Sequence, residues 1–350
     1  MRYTLGSPIS ARLNPCDGFT VRISEDARRT VVFFGTPSAD EQGVIEYGGT
    51  GFLVSYPEEG IRFGYLITAR HVAERVQPEN GVIVRINDMQ GGSQPIEIDS
   101  IYWAYHPDKT VDVAASPCLI DDKQFDVRYY DLEDHVKRDA HEFRVRCGDP
   151  INVVGLFRFH PGSQRNVPIV HSGNIAILPD PKEKISIKDR TTNKRRDVEG
   201  YLIEAQTFEG LSGAPVFQRE MLELPNYPKK NGSGPAVFSG VQLLGVYQGA
   251  WDGEASELVA KDRKWKGDRR VPIGMGIVVP GERVWELIVN HRELKKRRSE
   301  ILEQRKLRGA AVTDSVLPDA QPTDENPKHQ EDFTRLVGVA ARKPPQGEKT

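Results

Sequence analysis

The chain has 350 residues, of which 38% are apolar and 28% are charged, and its formal net charge is −2. This length is enough for two compact lobes. The nearly balanced charge excludes a general attraction to nucleic acid or to an anionic membrane. We therefore expect a soluble globular protein that has no membrane partner and for which nucleic acid is not the expected ligand.

The cysteines and the apolar runs constrain the cellular compartment. Cys16, Cys118 and Cys147 are an odd number without a CxxC pair, so neither a disulfide framework nor a zinc site is predicted. Residues 1–19 lack the continuous apolar segment of a secretory signal, and no later run approaches the roughly 18 apolar residues of a membrane span. We expect a cytoplasmic protein that needs no metal and no cofactor.

Short runs of β-branched and aromatic residues, separated by Gly, Pro, Asn and Asp, begin near residue 30 and are typical of an all-β sandwich or barrel. After an N-terminal arm at 1–29, the first lobe (30–140) contains six such runs: TVVFFG, TGFLVS, RFGYLIT, GVIVRIN, PIEIDSIYW and DVAASPCLI. The second lobe (141–290) contains six more: PINVVGLF, VPIVHSGNIAIL, EGYLIEA, APVFQ, VQLLGVYQG and PIGMGIVV. Two sets of six predict two barrels.

Three charged or irregular segments separate these runs. Residues 121–146 are charged and poorly periodic, which indicates a connection between the lobes or an inserted excursion. Residues 180–200 predict a charged, exposed hairpin. Residues 224–240 have the Pro, Gly and Asn content of an irregular surface loop.

The C-terminal part changes character. Val284, Leu287 and Ile288 repeat at helical spacing and predict a closing helix, and a basic helix follows at 291–308, most simply a solvated face. Residues 309–350 are rich in Pro, Gln and charged residues and predict a disordered tail, which is a candidate contact for a regulatory protein partner.

The stretch EGLSGAPVF places Ser212 among small, turn-forming residues. A serine hydroxyl is a weak nucleophile, so a serine hydrolase needs a nearby base and an acid that orients the base. His71 lies in YLITARHVAERV, where a predicted strand ends and a helical turn begins. Asp112 lies directly ahead of an apolar run in HPDKTVDVAASPCLI, whereas the alternative Asp108 falls in a loop that we expect to be exposed.

These residues resemble the chymotrypsin-like (trypsin-fold) serine peptidases. TARHV, DVA and GLSGAPV are similar to that family's boxes around the catalytic His, Asp and Ser, and GGTGFLV is similar to a strand of its intracellular and periplasmic bacterial branches. The chain as a whole resembles the bacterial intracellular-type branch without a PDZ domain. The resemblance spans about residues 30–290. It implies two six-stranded antiparallel β-barrels with the active site between them, and a protein or peptide substrate.

The resemblance also implies residue roles. His71 would be the general base, Asp112 its orienting acid and Ser212 the nucleophile, while the backbone N–H groups of Gly210 and Ser212 would form the oxyanion hole. Two positions depart from the family: Leu211 replaces the acid that precedes the serine, and Ala214 replaces the second glycine.

The same resemblance predicts the substrate pocket at Gln206, Tyr247, Gln248 and Gly249. Because Gln206 carries no carboxylate, strong selection for Lys or Arg is not expected, and a neutral pocket is. We thus expect a serine endopeptidase, possibly held latent until triggered. The alternative is a catalytically silent trypsin-fold module that binds a protein partner.

Overall fold

The computed structural model describes residues 23–38, 40–42, 44–76, 82–98, 102–133, 145–188, 195–206, 209–229, 232–254 and 270–313. The helices are α1 Glu25–Arg29, α2 Arg70–Arg75, α3 Gly281–Asn290 and α4 Arg292–Thr313. The strands of the first lobe are β1 Val31–Pro37, β2 Ile45–Glu58, β3 Ile61–Thr68, β4 Val82–Asn87, β5 Ser93–Ile98, β6 Ala104–Tyr105, β7 Ala114–Pro117 and β8 Tyr130–Asp131. Those of the second lobe are β9 Pro150–Gly155, β10 Ile169–Ile177, β11 Ile185–Lys188, β12 Arg195–Val198, β13 Tyr201–Glu204, β14 Pro215–Lys229, β15 Gly232–Glu254 and β16 Arg270–Pro280.

The second lobe confirms one predicted barrel. Its strands close in the order β10-β13-β16-β15-β14-β9, and every pairing in that ring is antiparallel. Each strand matches one of the six apolar runs of the second set. Alternate side chains of these strands point inward and fill the barrel with an apolar cluster that includes Ile151, Ile203 and Tyr247.

The first lobe differs from the predicted closed six-stranded barrel. Its strands form one sheet in the order β5-β4-β1-β2-β3-β7-β6, and the outer strands β5 and β6 do not pair with each other within the described residues. The short strand β8 joins β2 in parallel. Sequence patterning missed β8 because it lies in the charged segment 121–146, and a two-residue strand has no period to detect.

One apolar cluster joins the two lobes. In β1, Val31 and Phe33 belong to this cluster, while Val32 and Phe34 face a separate first-lobe core. The inter-lobe cluster also takes Phe217 from the second barrel. Because a strand turns successive side chains to opposite faces, β1 is buried on both sides, and its unbroken VVFFG run follows from that position.

The two long second-lobe segments are both hairpins in the structure. Residues 180–200 contain the β11–β12 hairpin, as predicted, and Ile185 and Val198 of this hairpin pack on Leu202 and Ile277 of the barrel. The irregular loop predicted at 224–240 is wrong, because β14 and β15 stay paired out to Lys229 and Gly232. The register of the ladder shifts between Leu224 and Tyr227, where Pro225 lies, and proline cannot donate to a ladder.

The C-terminal helices close the molecule as their spacing predicted. α3 places Val284, Leu287 and Ile288 in the inter-lobe cluster. The disordered tail was predicted from residue 309, but α4 continues to Thr313, so the start of that prediction is wrong by five residues. The rest of the predicted tail, 314–350, lies outside the described residues. No helix in the described ranges is long and apolar enough to cross a lipid bilayer.

Helix α4 is only partly the solvated basic face that its charges suggested. Leu294, Arg298 and Leu302 are buried at four-residue spacing. The guanidinium of Arg298 donates to Glu58, to the Tyr65 hydroxyl and to the carbonyl of Ile288. This one arginine therefore ties α4 to the β2–β3 hairpin and to α3.

We expect Arg298→Ala to lower the free energy of unfolding by about 3 kcal/mol, because it leaves partners of a buried cation without a donor. Lys306→Ala is the matched control, since Lys306 pairs with Glu59 from an exposed position on the same helix and exposed pairs contribute little. Chemical denaturation of both variants measures the difference. Equal stability of the two variants would contradict a structural role for Arg298.

Candidate active site

The pairing of β3 with β7 brings His71 and Asp112 together. Thr68, the last residue of β3, lies opposite Ala114, the first residue of β7. His71 follows three residues after Thr68 on α2, and Asp112 precedes Ala114 by two residues. Antiparallel pairing therefore brings a helix start and a strand start to the same edge of the sheet.

Asp112 holds His71 at two points. Its Oδ1 accepts the backbone N–H of His71 at 2.9 Å, and its Oδ2 lies 2.7 Å from His71 Nδ1. The Asp112 side chain is 3% exposed, whereas that of His71 is 42% exposed. The imidazole is thus fixed on its buried side and open to solvent on the other.

The surroundings of Asp112 keep it ionised. Burial would raise the pKa of the Asp112 carboxyl, but the hydrogen bonds that His71 donates and the nearby positive charge of Arg196 outweigh burial and lower the pKa. Arg196 lies on β12 opposite Ile187. An ionised acid is what an orienting partner of an imidazole requires.

The alternative acid, Asp108, has a different environment. It is exposed, and its Oδ1 accepts from the backbone N–H and the hydroxyl of Thr110 at 2.8 and 2.7 Å. These bonds form a local turn. Asp112 therefore contacts His71, whereas Asp108 belongs to the preceding loop.

The turn that carries Ser212 packs against the first lobe. The carbonyl of Ser212 accepts the N–H of Thr50, on β2, at 3.0 Å. Gly213 has φ +86, and a Cβ there would lie 2.2 Å from the carbonyl oxygen of Thr50 and 2.2 Å from Thr68 Oγ1. Only glycine fits this contact. Ser212 is thereby brought close to the end of β3, just ahead of His71.

The Ser212 hydroxyl donates to the backbone carbonyl of Gln248 at 3.3 Å. Among the described residues it does not hydrogen bond to His71. His71 and Asp112 are therefore already paired, while the serine side chain faces β15.

The turn also leaves two amides without acceptors. No carbonyl or side chain in the described part of the chain accepts the N–H of Gly210 or of Ser212. Gly210 has φ +100, which a residue with a Cβ rarely adopts. The turn therefore has the backbone features of an anion site.

The two departures from the family motif fit the barrel. Leu211 is 1% exposed and Ala214 is fully buried, and both belong to the apolar cluster inside the second barrel. The position before the serine therefore anchors the turn by apolar packing and not by an ion pair.

The predicted pocket residues have contrasting surroundings. Gln206 is exposed, and Gln248 is 7% exposed. A Cβ on Gly249 would meet nothing within 4 Å, so the space beside it is open. Tyr247 is 1% exposed, and its ring lies where a side chain on Gly276 would be, so Tyr247 fills space inside the barrel.

Sequence reasoning missed three residues of this region: Thr50, Thr68 and Arg196. Thr50 was quoted only as part of GGTGFLV, and its partner Gly210 lies 160 residues later. No local pattern links residues so far apart. Within the described ranges, no group of three or more His, Cys, Asp or Glu side chains could hold a metal ion.

Comparisons with known proteins give only a distant likeness of shape. No known protein family matches the sequence, and no curated protein matches it. The chain is similar to the crystal structure of Deg5, with a TM-score of 0.40 and 14% identity over 76% of this chain and 92% of that one. It is also similar to the scabies mite inactivated protease paralogue S-I1, with a TM-score of 0.32 and 15% identity over 61% of this chain and 91% of that one. Neither TM-score reaches 0.5, so residue roles depend on the contacts within this chain.

The lowered pKa of Asp112 predicts an acid-sensitive stability. The ordinary pKa of the carboxyl is 3.8, and its pKa in the folded protein lies below that. The contribution of the carboxylate to the free energy of unfolding is therefore complete above about pH 4 and is lost as the pH falls through the folded pKa. Urea denaturation at several pH values should show less acid destabilisation for Asp112→Asn than for the wild type. If the free energy of unfolding changed with pH to the same extent in both proteins, a lowered pKa for Asp112 would be contradicted.

Proposed function

We propose that this chain is a trypsin-fold serine endopeptidase that cleaves peptide bonds through a covalent acyl-enzyme. The observation that carries the proposal is the two-point hold of the buried Asp112 carboxylate on His71. A structural histidine has no need of a desolvated acid that bonds both its backbone and its ring. The turn of Ser212, anchored beside the same strand end, supplies the nucleophile.

The first step requires the Ser212 hydroxyl to leave its hydrogen bond to Gln248. With the proton of Nδ1 held by Asp112, Nε2 of His71 is left as the acceptor. The Ser212 hydroxyl turns from the carbonyl of Gln248 toward Nε2 and transfers its proton as Oγ attacks the substrate carbonyl carbon. The N–H groups of Gly210 and Ser212 stabilise the negative charge that develops on the substrate oxygen.

The remaining steps use the same groups. The protonated His71 gives its proton to the leaving amine, and the peptide bond breaks to leave an ester on Ser212. Water then loses a proton to His71 and attacks the ester carbon. His71 returns that proton to Oγ of Ser212 as the ester bond breaks, which releases the acid product and restores the free serine and the neutral imidazole. This chemistry uses no metal and no cofactor.

The proposed substrate is a protein or peptide with an uncharged side chain before the cleaved bond. Gln206 offers no carboxylate to a basic side chain, and Tyr247 takes up space inside the barrel beside Gly276. The open space beside Gly249 leaves room for a side chain of the substrate. A cytoplasmic location and a regulatory contact through residues 309–350 are proposed on sequence grounds alone.

One observation favours the second candidate, a catalytically silent binding module. The Ser212 hydroxyl is hydrogen-bonded to the Gln248 carbonyl and not to His71. A protein in which this arrangement persisted would keep the three side chains and have no activated nucleophile. The two candidates therefore differ in whether Ser212 reacts.

A fluorophosphonate probe distinguishes them, because it reacts with a serine that has a working base and oxyanion site. We expect one adduct, located by peptide mass spectrometry in the segment around Ser212. Labelling should vanish in Ser212→Ala and fall strongly in His71→Ala. His160→Ala is the matched control, since His160 is exposed and should label as the wild type does. A folded wild type that takes up no probe, alone or with candidate partners, would exclude the peptidase and leave the binding module.

Asp112→Asn should stay folded and lower kcat on an ester or peptide substrate by roughly 10⁴-fold, because the imidazole loses the acid that selects its tautomer. Asp108→Asn is the matched control and should keep nearly full activity, since among the described residues the Asp108 carboxylate accepts from Thr110 of its own loop and not from His71. A large loss with Asp108→Asn and none with Asp112→Asn would show that the acid was wrongly chosen.

A further inference from the structure

Thr50 is a fully buried residue of β2 that bonds to the second lobe through its side chain and its backbone. Its hydroxyl donates to the carbonyl of Gly210 at 2.6 Å and accepts the N–H of Leu156 at 3.0 Å. Its own N–H donates to the carbonyl of Ser212 at 3.0 Å. One threonine of the first lobe therefore contacts the peptide groups of both Gly210 and Ser212.

Thr50 is itself held in one orientation. Its carbonyl accepts the hydroxyl of Thr68 at 2.7 Å. A Cβ on Gly155 would lie 3.0 Å from Thr50 Oγ1, so the hydroxyl lies in a close-packed site. With one donor and one acceptor bond made, the hydroxyl has little freedom to turn.

The hydrogen bonds of Thr50 restrict the backbone around the N–H groups of Gly210 and Ser212. Fixing the carbonyls of Gly210 and Ser212 restricts the peptide planes that follow each residue, and the buried side chain of Leu211 restrains the residue between them. Since Gly210 has φ +100 and glycine has few steric limits of its own, its conformation must be set by its contacts. The bond from the Thr50 hydroxyl is such a contact.

We propose that Thr50 is a positioning residue that sets the oxyanion donors of Gly210 and Ser212 from the neighbouring lobe. This inference rests on the proposed peptidase function. Leu211 cannot form the ion pair that an acid at its position would allow, and the Thr50 hydroxyl supplies a neutral anchor in its place. The oxyanion site is thus complete only when the two lobes are docked.

The test uses the full chain with three substitutions. Thr50→Val keeps the shape and removes the hydroxyl, Thr50→Ser keeps the hydroxyl, and Thr30→Val is the matched control. Thr30 is equally buried, but its hydroxyl donates to the carbonyl of Ala27 in its own lobe at 2.8 Å. Each protein is assayed for kcat and KM on an ester substrate, for fluorophosphonate labelling rate and for unfolding in urea.

Removal of an oxyanion donor costs about 10²–10³ in kcat, so misorientation in Thr50→Val should cost about 10-fold to 100-fold. KM and the midpoint of the pH–rate profile should stay unchanged, since the His71–Asp112 pair is untouched. Thr50→Ser should recover most of the loss. Thr30→Val should lose comparable stability and keep wild-type kcat, which separates positioning from folding.

The outcomes separate the two proposals. Labelling of the wild type together with wild-type kcat in Thr50→Val would overturn the positioning role and leave the peptidase intact. A fall in kcat that Thr50→Ser does not rescue would also overturn it. A wild type that the probe never labels would overturn the proposed peptidase function, and with it the positioning role that rests on that function. If Thr50→Val does not fold, Thr50→Ala removes the same hydroxyl and carries the same expectation.

Discussion

The site depends on one inter-lobe contact, in which the Ser212 turn packs on β2 and on the end of β3. The carbonyl of Ser212 accepts from Thr50, and Gly213 approaches Thr50 and Thr68 too closely for any side chain. Such an approach excludes water, and backbone groups buried there must bond to each other. Loss of this contact would separate Ser212 from His71 even if both lobes stayed folded.

The apolar cluster between the lobes makes that contact rigid. It combines β1 residues such as Phe33 with Phe217 of the second barrel and Leu287 of α3. Buried apolar area is the main stabilising contribution to folding, and close packing resists small displacements. The helices at the C-terminus therefore contribute to the candidate site without lying in it, because their packing holds the two lobes in the arrangement that brings Ser212 close to His71.

The electrostatic cost of the site is concentrated in Asp112. A carboxylate that is 3% exposed is unfavourable unless hydrogen bonds and nearby positive charge compensate for lost hydration. His71 provides both hydrogen bonds, and Arg196 adds positive charge from the β11–β12 hairpin. The hairpin that the sequence presented as an exposed, charged excursion thus contributes to the environment of the acid.

The sequence by itself determined the strand runs, the closing helix and the residue types of the candidate site, because these depend on local periodicity and on turn-forming neighbours. Glycine at Gly210 and Gly213 could also be read locally as turn chemistry, although at Gly213 its cause is an inter-lobe contact. Only the tertiary structure decided the closure of one barrel and not the other, the strand pairing at 224–240 and the burial of Arg298 in a basic helix. The same holds for the contacts of Thr50 with Gly210 and Ser212. Each of these depends on bonds between residues far apart in the chain, and such bonds leave no period or motif in the residues on either side.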